Sequence, residues 1–195
     1  MQTREALVID SVTDLVLLVL REGEKRGSSQ LSGTTRMQKL LFLISRSPEY
    51  QDLVLEKQAP PLQFRPYRMG PFTPDIYDAI DALATFKRPL ILTKPGSGWQ
   101  QESVELDKYV DEVDLDRSEP AAASDPRPTV YALTDDGRKV ADYLTDHAPK
   151  QLRVVLGRVV SEYGKLGLSE LLRRVYSQFP EMTERSEIRG QLGLD

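Results

Sequence analysis

The sequence contains no cysteine and only one histidine, His147, among its 195 residues. Without thiols there is no disulfide framework, no thiolate nucleophile and no cysteine-held metal. A single imidazole cannot form a histidine metal cluster either. Any Ser-His-acid triad would have to use His147, which sits beside Pro149 in a hinge, and no nucleophile-elbow pattern accompanies it. The reading is a surface histidine. Long apolar runs are also missing. Residues 15–20 form the most apolar stretch, whereas a membrane span needs about 20 residues, so this stretch belongs to a buried helix. Residues 1–9 carry Arg4 and Glu5 and show no small-residue cleavage pattern, which argues against a secretory signal. The expectation is a soluble cytoplasmic protein with no membrane contact, no cofactor and no metal.

What is present is charge, unevenly spread. The net charge is −4. Residues 101–127 hold nine acids against three bases, net −6, so the rest of the chain carries +2. The acidity therefore belongs to one segment that is also rich in Pro, Ala and Ser, the composition of a solvated loop. Within it, Asp111-Glu112-Val113-Asp114-Leu115-Asp116 superficially suggests a calcium loop. It lacks the glycine and the final glutamate that such a loop requires. Gly96 and Gly98 likewise lack the spacing and the following helix of a phosphate cradle.

Periodicity supplies the elements. Leu7, Val8, Val12, Leu15, Val16, Val19 and Leu20 recur at helical spacing and predict a first helix over residues 4–22. A second begins at a Thr34 or Thr35 cap, carries Met37, Leu40, Leu41 and Ile44 on one face and ends before Pro48. Residues 50–55 are read as a further short turn of helix. Residues 64–72 are too proline-rich for a helix and predict an extended segment turning at Gly70-Pro71. Thr73 is the expected cap of a third helix with Pro74 at its first position and Ile76, Ile80 and Leu83 as its apolar stripe. Strand candidates at residues 90–93 and 129–133 flank the acidic segment as a hairpin with an oversized tip. Thr134 caps the next helix, favoured by Asp135 and Asp136 at its positive end, and two more follow over residues 150–163 and 169–179. The fold class is mainly α with a small β-hairpin (α+β): residues 1–147 as a winged helix-turn-helix core with an insertion at about 94–128, and residues 148–195 as a C-terminal helical extension.

Two motifs carry a resemblance. Thr35-Arg36-Met37-Gln38-Lys39-Leu40-Leu41-Phe42-Leu43, followed by Phe64-Arg65-Pro66-Tyr67-Arg68-Met69-Gly70-Pro71-Phe72-Thr73 and Ile76-Tyr77, resembles the YwgA-like group of prokaryotic regulators. More distantly it is similar to the Panacea antitoxin domain, which has a comparable lysine-leucine-leucine and Gly-Pro arrangement. Tyr131-Ala132-Leu133-Thr134 with Gly137-Arg138 resembles the exit of the wing in winged-helix regulators. The segment from Leu168 to Pro180 resembles the end of the YwgA-like group. The resemblance implies a winged-helix core and a role in transcription, toxin neutralisation or phage defence. It implies no catalytic residue. The long acidic wing departs from the pattern.

Two surfaces compete for the function. In a winged helix the third helix enters the DNA major groove. Here Asp75, Asp78 and Asp81 repeat at three-residue spacing opposite the apolar stripe, and phosphate repulsion opposes such docking. With Tyr67 and Arg68 they form a candidate site for a basic protein partner, a toxin or defence component. Alternatively, Arg36, Lys39, Arg65, Arg68, Lys87 and Arg88 contact DNA phosphates. For Arg36, Lys39 and Arg46, which share the polar side of the second helix, and for Arg65 and Arg68 after it, a merely solvated face is an equal alternative. The segment from Phe64 to Phe72 is either a rigid aromatic and basic surface or a strut whose aromatics pack inward. Tail residues Val154, Val155, Val159, Leu171, Leu172, Val175, Tyr176 and Phe179 either form a homodimer or partner groove or pack back on the first helix. The expected function is that of a non-catalytic, antitoxin-like or defence-associated adaptor that binds a protein, with a DNA-binding transcriptional regulator as the alternative. A hydrolase or nuclease is disfavoured, since the carboxylates lie in a loop or on one exposed face.

Overall fold

The apolar run at residues 15–20 becomes the central helix, α1 (Val12–Lys25), of a computed structural model that describes residues 9–27, 31–95 and 129–193. The Ser11 hydroxyl accepts from the Asp14 N–H at 3.2 Å, and Asp14 and Lys25 sit at the helix ends that favour their charges. Six consecutive side chains, Leu15 to Leu20, are buried. Six successive residues sweep more than a full turn, so α1 must be surrounded, and it is: α2 (Thr34–Ser45), α4 (Asp75–Thr85), α5 (Asp135–His147) and α6 (Lys150–Tyr163) all pack on it.

The remaining helices are α3 (Pro48–Leu55) and α7 (Leu168–Gln178), followed by two short 3-10 turns, Pro180–Thr183 and Gly190–Leu192. The strands are short and antiparallel. β1 (Leu31–Ser32), β4 (Ile91–Pro95) and β5 (Thr129–Leu133) form one sheet in the order β1-β5-β4, with Leu31 opposite Tyr131 and Ile91 opposite Leu133. β2 (Arg65–Tyr67) and β3 (Gly70–Phe72) form a separate hairpin. The architecture is mainly helical α+β.

Several sequence expectations shift. The described part of the first helix starts at Val12, later than residue 4, because Ser11 provides a side-chain cap there. Residues 50–55 belong to a full helix beginning at Pro48, which occupies the first position, where a missing N–H costs nothing. The turn of the 64–72 segment falls at Arg68-Met69, before Gly70 and not at Gly70-Pro71, because Tyr67 pairs with Gly70 across the hairpin. Pro74, at φ −65° and ψ −26°, opens α4 with helical backbone angles, as a proline at the first position does. In the C-terminal helical segment, Leu152, Val155, Leu156, Leu171, Leu172 and Val175 lie in the same apolar core as α1 and α2. Of the tail residues given the two alternatives of a partner groove or packing on the first helix, Val154 alone is exposed, and α6 packs on α1. The acidic segment, Trp99, the Asp111–Asp116 run and the two glycines at 96 and 98 lie outside the described residues.

Candidate partner-binding surface

The cations of α2 point inward. Lys39 is only 2% exposed, and its Nζ donates to the Pro71 carbonyl at 2.9 Å. Arg36 donates to the Leu166 carbonyl at 2.6 Å, and so ties α2 to the loop before α7. Between them, the buried Gln38 makes two bonds to one residue: its Nε2 donates to the Thr73 carbonyl at 2.7 Å, and its Oε1 accepts from the Thr73 N–H at 3.1 Å. A side-chain amide thus takes the place of a neighbouring strand at Thr73. At Lys39 burial overturns both the expected phosphate contact and the solvated face offered as its alternative, whereas Arg36 is half-buried and gives one donor nitrogen to a main-chain carbonyl. Desolvating an ammonium is tolerable only where it is bonded, and the Lys39 ammonium bonds a main-chain carbonyl. Of the α2 trio, Arg46 alone is exposed.

These bonds join the two halves of the motif pair. Lys39 and Gln38 hold Pro71 and Thr73, and α7 closes the other side. Gly70 has φ +84°, and a Cβ there would lie 2.6 Å from the Tyr176 ring, so both backbone angle and space require glycine. The Glu187 N–H donates to the Arg68 carbonyl at 2.9 Å, and the Arg68 Nε lies 3.2 Å from Glu187 Oε1. Phe64 packs edge-on against Phe42 at 5.2 Å. On its inner side the segment is therefore a strut. On its outer side it carries a half-buried aromatic cluster: Tyr67 meets Phe72 at 4.8 Å, and Phe72 meets Tyr77 of α4 at 5.9 Å. The guanidinium groups of Arg65 and Arg68 each lie 5.9 Å from the Tyr67 ring centre, within cation–π range. Arg65 is exposed, and Arg68 and Tyr67 are half-buried.

From this cluster α4 runs outward. Ile76, Ala79, Ile80 and Leu83 are buried, which leaves Asp75, Asp78 and Asp81 on the opposite, exposed side. Asp75 and Asp78 lie in the first turn, at the positive end of the helix dipole. Among the described residues no ion pair engages Asp75 or Asp81. Lys87 and Arg88 follow the helix and are exposed. The structure thus brings Asp75, Asp78, Tyr67 and Arg68 to adjoining elements. Sequence periodicity found the acidic row but missed Phe72 and Tyr77. Their signal was available in the spacing of aromatics around Gly70-Pro71.

The Tyr-x-Leu-Thr-x-x-Gly-Arg motif is also structural. Thr134 caps α5 by accepting from the Gly137 N–H at 3.0 Å, and its hydroxyl donates to the Pro89 carbonyl at 2.8 Å. Gly137 lets β4 approach so closely that a Cβ would lie 1.9 Å from the Leu90 oxygen. Arg138 donates from Nε and Nη2 to the nearly buried Glu24 carboxylate of α1. Arg21 bonds the same carboxylate, and also bonds Asp142 at 2.8 Å, which holds the Asp142 carboxyl below its usual range. Hydrogen bonding to Arg158 lowers Glu49 in the same way and ties α3 to α6.

The other ring groups make local contacts. The His147 Nδ1 faces the Tyr143 carbonyl at 2.8 Å, and its ring stacks on Tyr143 at 4.2 Å. Burial alone pushes the Tyr50 phenol well above its usual range, and its hydroxyl is spent on the Pro60 carbonyl at 2.6 Å. Among the described residues no group of three or more His, Asp or Glu side chains converges to hold a metal. No described helix is long and apolar enough to cross a membrane. No family model, curated protein or solved structure matches the chain.

Proposed function

We propose that this chain is a non-catalytic regulatory or adaptor protein that binds a protein partner through the acidic face of α4 and the adjoining Tyr67 and Arg68. The observation that carries the reading is the exposure of Asp75, Asp78 and Asp81 along one side of a helix whose other side is fixed in the core. Three carboxylates at that spacing present an edge of negative potential that attracts a basic polypeptide surface and repels phosphate. A winged-helix core is part of the proposal. Its support is the order α1, β1, α2, α4, β4, β5 with sheet order β1-β5-β4, with α3 and the β2–β3 hairpin inserted between the second and third helices of that plan. The likeness to YwgA-like regulators and the antitoxin-like or defence-associated role belong to the same proposal, as does a cytoplasmic location.

A DNA-binding regulator is the second reading, favoured by the exposed Arg65, Lys87 and Arg88. Of its six cations Lys39 is buried on a main-chain carbonyl, Arg36 gives one nitrogen to another, and Arg68 faces Glu187. Each phosphate contact removed lowers affinity and flattens its salt dependence. The test is affinity capture from the host with the intact chain and with a D75N/D78N/D81N variant, beside a gel shift on the upstream region of its own gene. A partner recovered by the intact chain, released by salt and absent with the variant supports the proposal. Nothing above background with either, or a low-salt gel shift abolished by R65A/K87A/R88A, overturns it.

A further inference from the structure

A groove beside α3 is separate from the surface described above. It forms where α3 runs past the extended residues 61–64 and has a volume of about 530 Å³. Val54, Leu55, Pro61, Leu62 and Phe64 supply apolar walls, and Leu55 stands 81% exposed at the edge. Ser45, Gln51 and Gln63 add uncharged polar groups, and Arg46 is the one charged residue of the lining. The Arg46 guanidinium lies 5.1 Å from the Phe42 ring centre and 6.0 Å from that of Phe179. Attraction to those ring faces holds it in place, and among the described residues it forms no ion pair. Arg21, Arg36, Arg138 and Arg158, by contrast, each bond a carboxylate or a carbonyl.

We propose that this groove binds a small amphipathic anion, an apolar body lying along Val54, Leu55 and Leu62 with a terminal carboxylate on Arg46. The volume falls within the range of small-molecule sites, which pair apolar walls with a few placed polar groups. A guanidinium offers paired N–H donors that match a carboxylate, and one already seated on two rings loses little freedom when the anion arrives. Nothing in the lining repels an anion, because it contains no acidic side chain.

The test uses the full chain with the fluorescent apolar anion anilinonaphthalene sulfonate as reporter, and octanoate, octanol and octylamine as competitors. Octanoate displaces the reporter at the lowest concentration. R46Q raises the octanoate concentration needed by about tenfold, the effect of losing a hydrogen bond to a charged group, and R46K recovers part of the loss. Leu55→Glu, at an exposed position that leaves the core intact, weakens octanoate but spares octanol. Absence of reporter fluorescence overturns the proposal, as does displacement by octanol or octylamine as efficient as by octanoate. An R46Q variant that melts like the parent and binds octanoate unchanged overturns it too. So does an acidic apolar peptide that outcompetes octanoate strongly, since the occupant would then be a polypeptide.

Discussion

Replacing Gln38 by methionine tests whether the motif on α2 exists to hold the hairpin. Methionine keeps the length and apolar stem of glutamine and removes both polar atoms. In the native chain those atoms bond the Thr73 carbonyl at 2.7 Å and the Thr73 N–H at 3.1 Å, and both residues are buried. The substitution leaves one donor and one acceptor of the main chain without partners away from water. Each costs about 1–3 kcal/mol, so the loss is roughly 2–6 kcal/mol, a large share of the 5–15 kcal/mol that typically separates folded from unfolded states. For a chain of this size each kcal/mol moves the melting temperature by about 2–4 °C, so Q38M melts at least about 4 °C lower. Thermal and urea unfolding followed by circular dichroism measure it, and amide exchange at Thr73 locates it. A second substitution separates the two bonds. Gln38→Glu keeps the acceptor for the Thr73 N–H but sets a carboxylate against the Thr73 carbonyl, so its deficit shrinks as acid protonates the new side chain and restores a donor. Were Q38M to lose less than about 0.5 kcal/mol, the range of ordinary surface changes, the strut reading of the motif would be wrong.

Gly137→Ala places a methyl 1.9 Å from the Leu90 oxygen, and backbone on both sides resists, so the expected loss is about 3 kcal/mol, at the upper end of overpacking costs; denaturant melts decide it. In alkali, Tyr176 supplies a marker. Burial raises its phenol to about 12, so its contribution is complete below the ordinary tyrosine value of about 10 and is lost as pH climbs through its folded value. Y176F therefore shows a shallower stability loss across that window than the parent. Asp142 runs the other way. Its carboxyl is lowered first by the Arg21 hydrogen bond, so the contribution is present at neutral pH and disappears as acid protonates it. Because the pair is partly solvated, D142N costs under about 1 kcal/mol at pH 7, and the difference from the parent closes at acid pH. D75N/D78N/D81N stays folded, losing about 1–2 kcal/mol in urea unfolding as the helix end gives up its two favourable charges, while partner capture is lost.

Much of the helical frame was legible because its signals are local. Thr134 reads as a cap and caps, and the stripe of Ile76, Ile80 and Leu83 faces the core as its spacing requires. The fate of α2 was not read. Met37, Leu40, Leu41 and Ile44 mark one apolar face, which made Arg36 and Lys39 look solvated. Yet residues 40–44 are five apolar side chains in a row, and five residues at about 100° each sweep past a full circle. Such a helix has no wet side, and its cations must find partners within the protein. The signal lay in the run, not in the period. Ser47-Pro48-Glu49 likewise announces a helix start, while β1, two residues long, is set by pairing with β5, which no local pattern encodes.

The same reasoning separates the two charge patterns that compete for the function. A row of charges on a helix is evidence of a binding face only if the opposite side is fixed and the row itself is not consumed by the fold. Lys39 and Arg36 fail the second condition, because their hydrogen bonds to the Pro71 and Leu166 carbonyls are part of what positions the hairpin and α7. Asp75 and Asp81 meet both: Ile76, Ile80 and Leu83 lock the helix from behind, and among the described residues no ion pair engages these two carboxylates. Exposed carboxylates at three-residue spacing also repel one another, and folding gains nothing from that repulsion. An incoming basic surface relieves it on binding, whereas a phosphate backbone adds to it. For the described surface of α4, the sign of the charge therefore favours a polypeptide over a duplex.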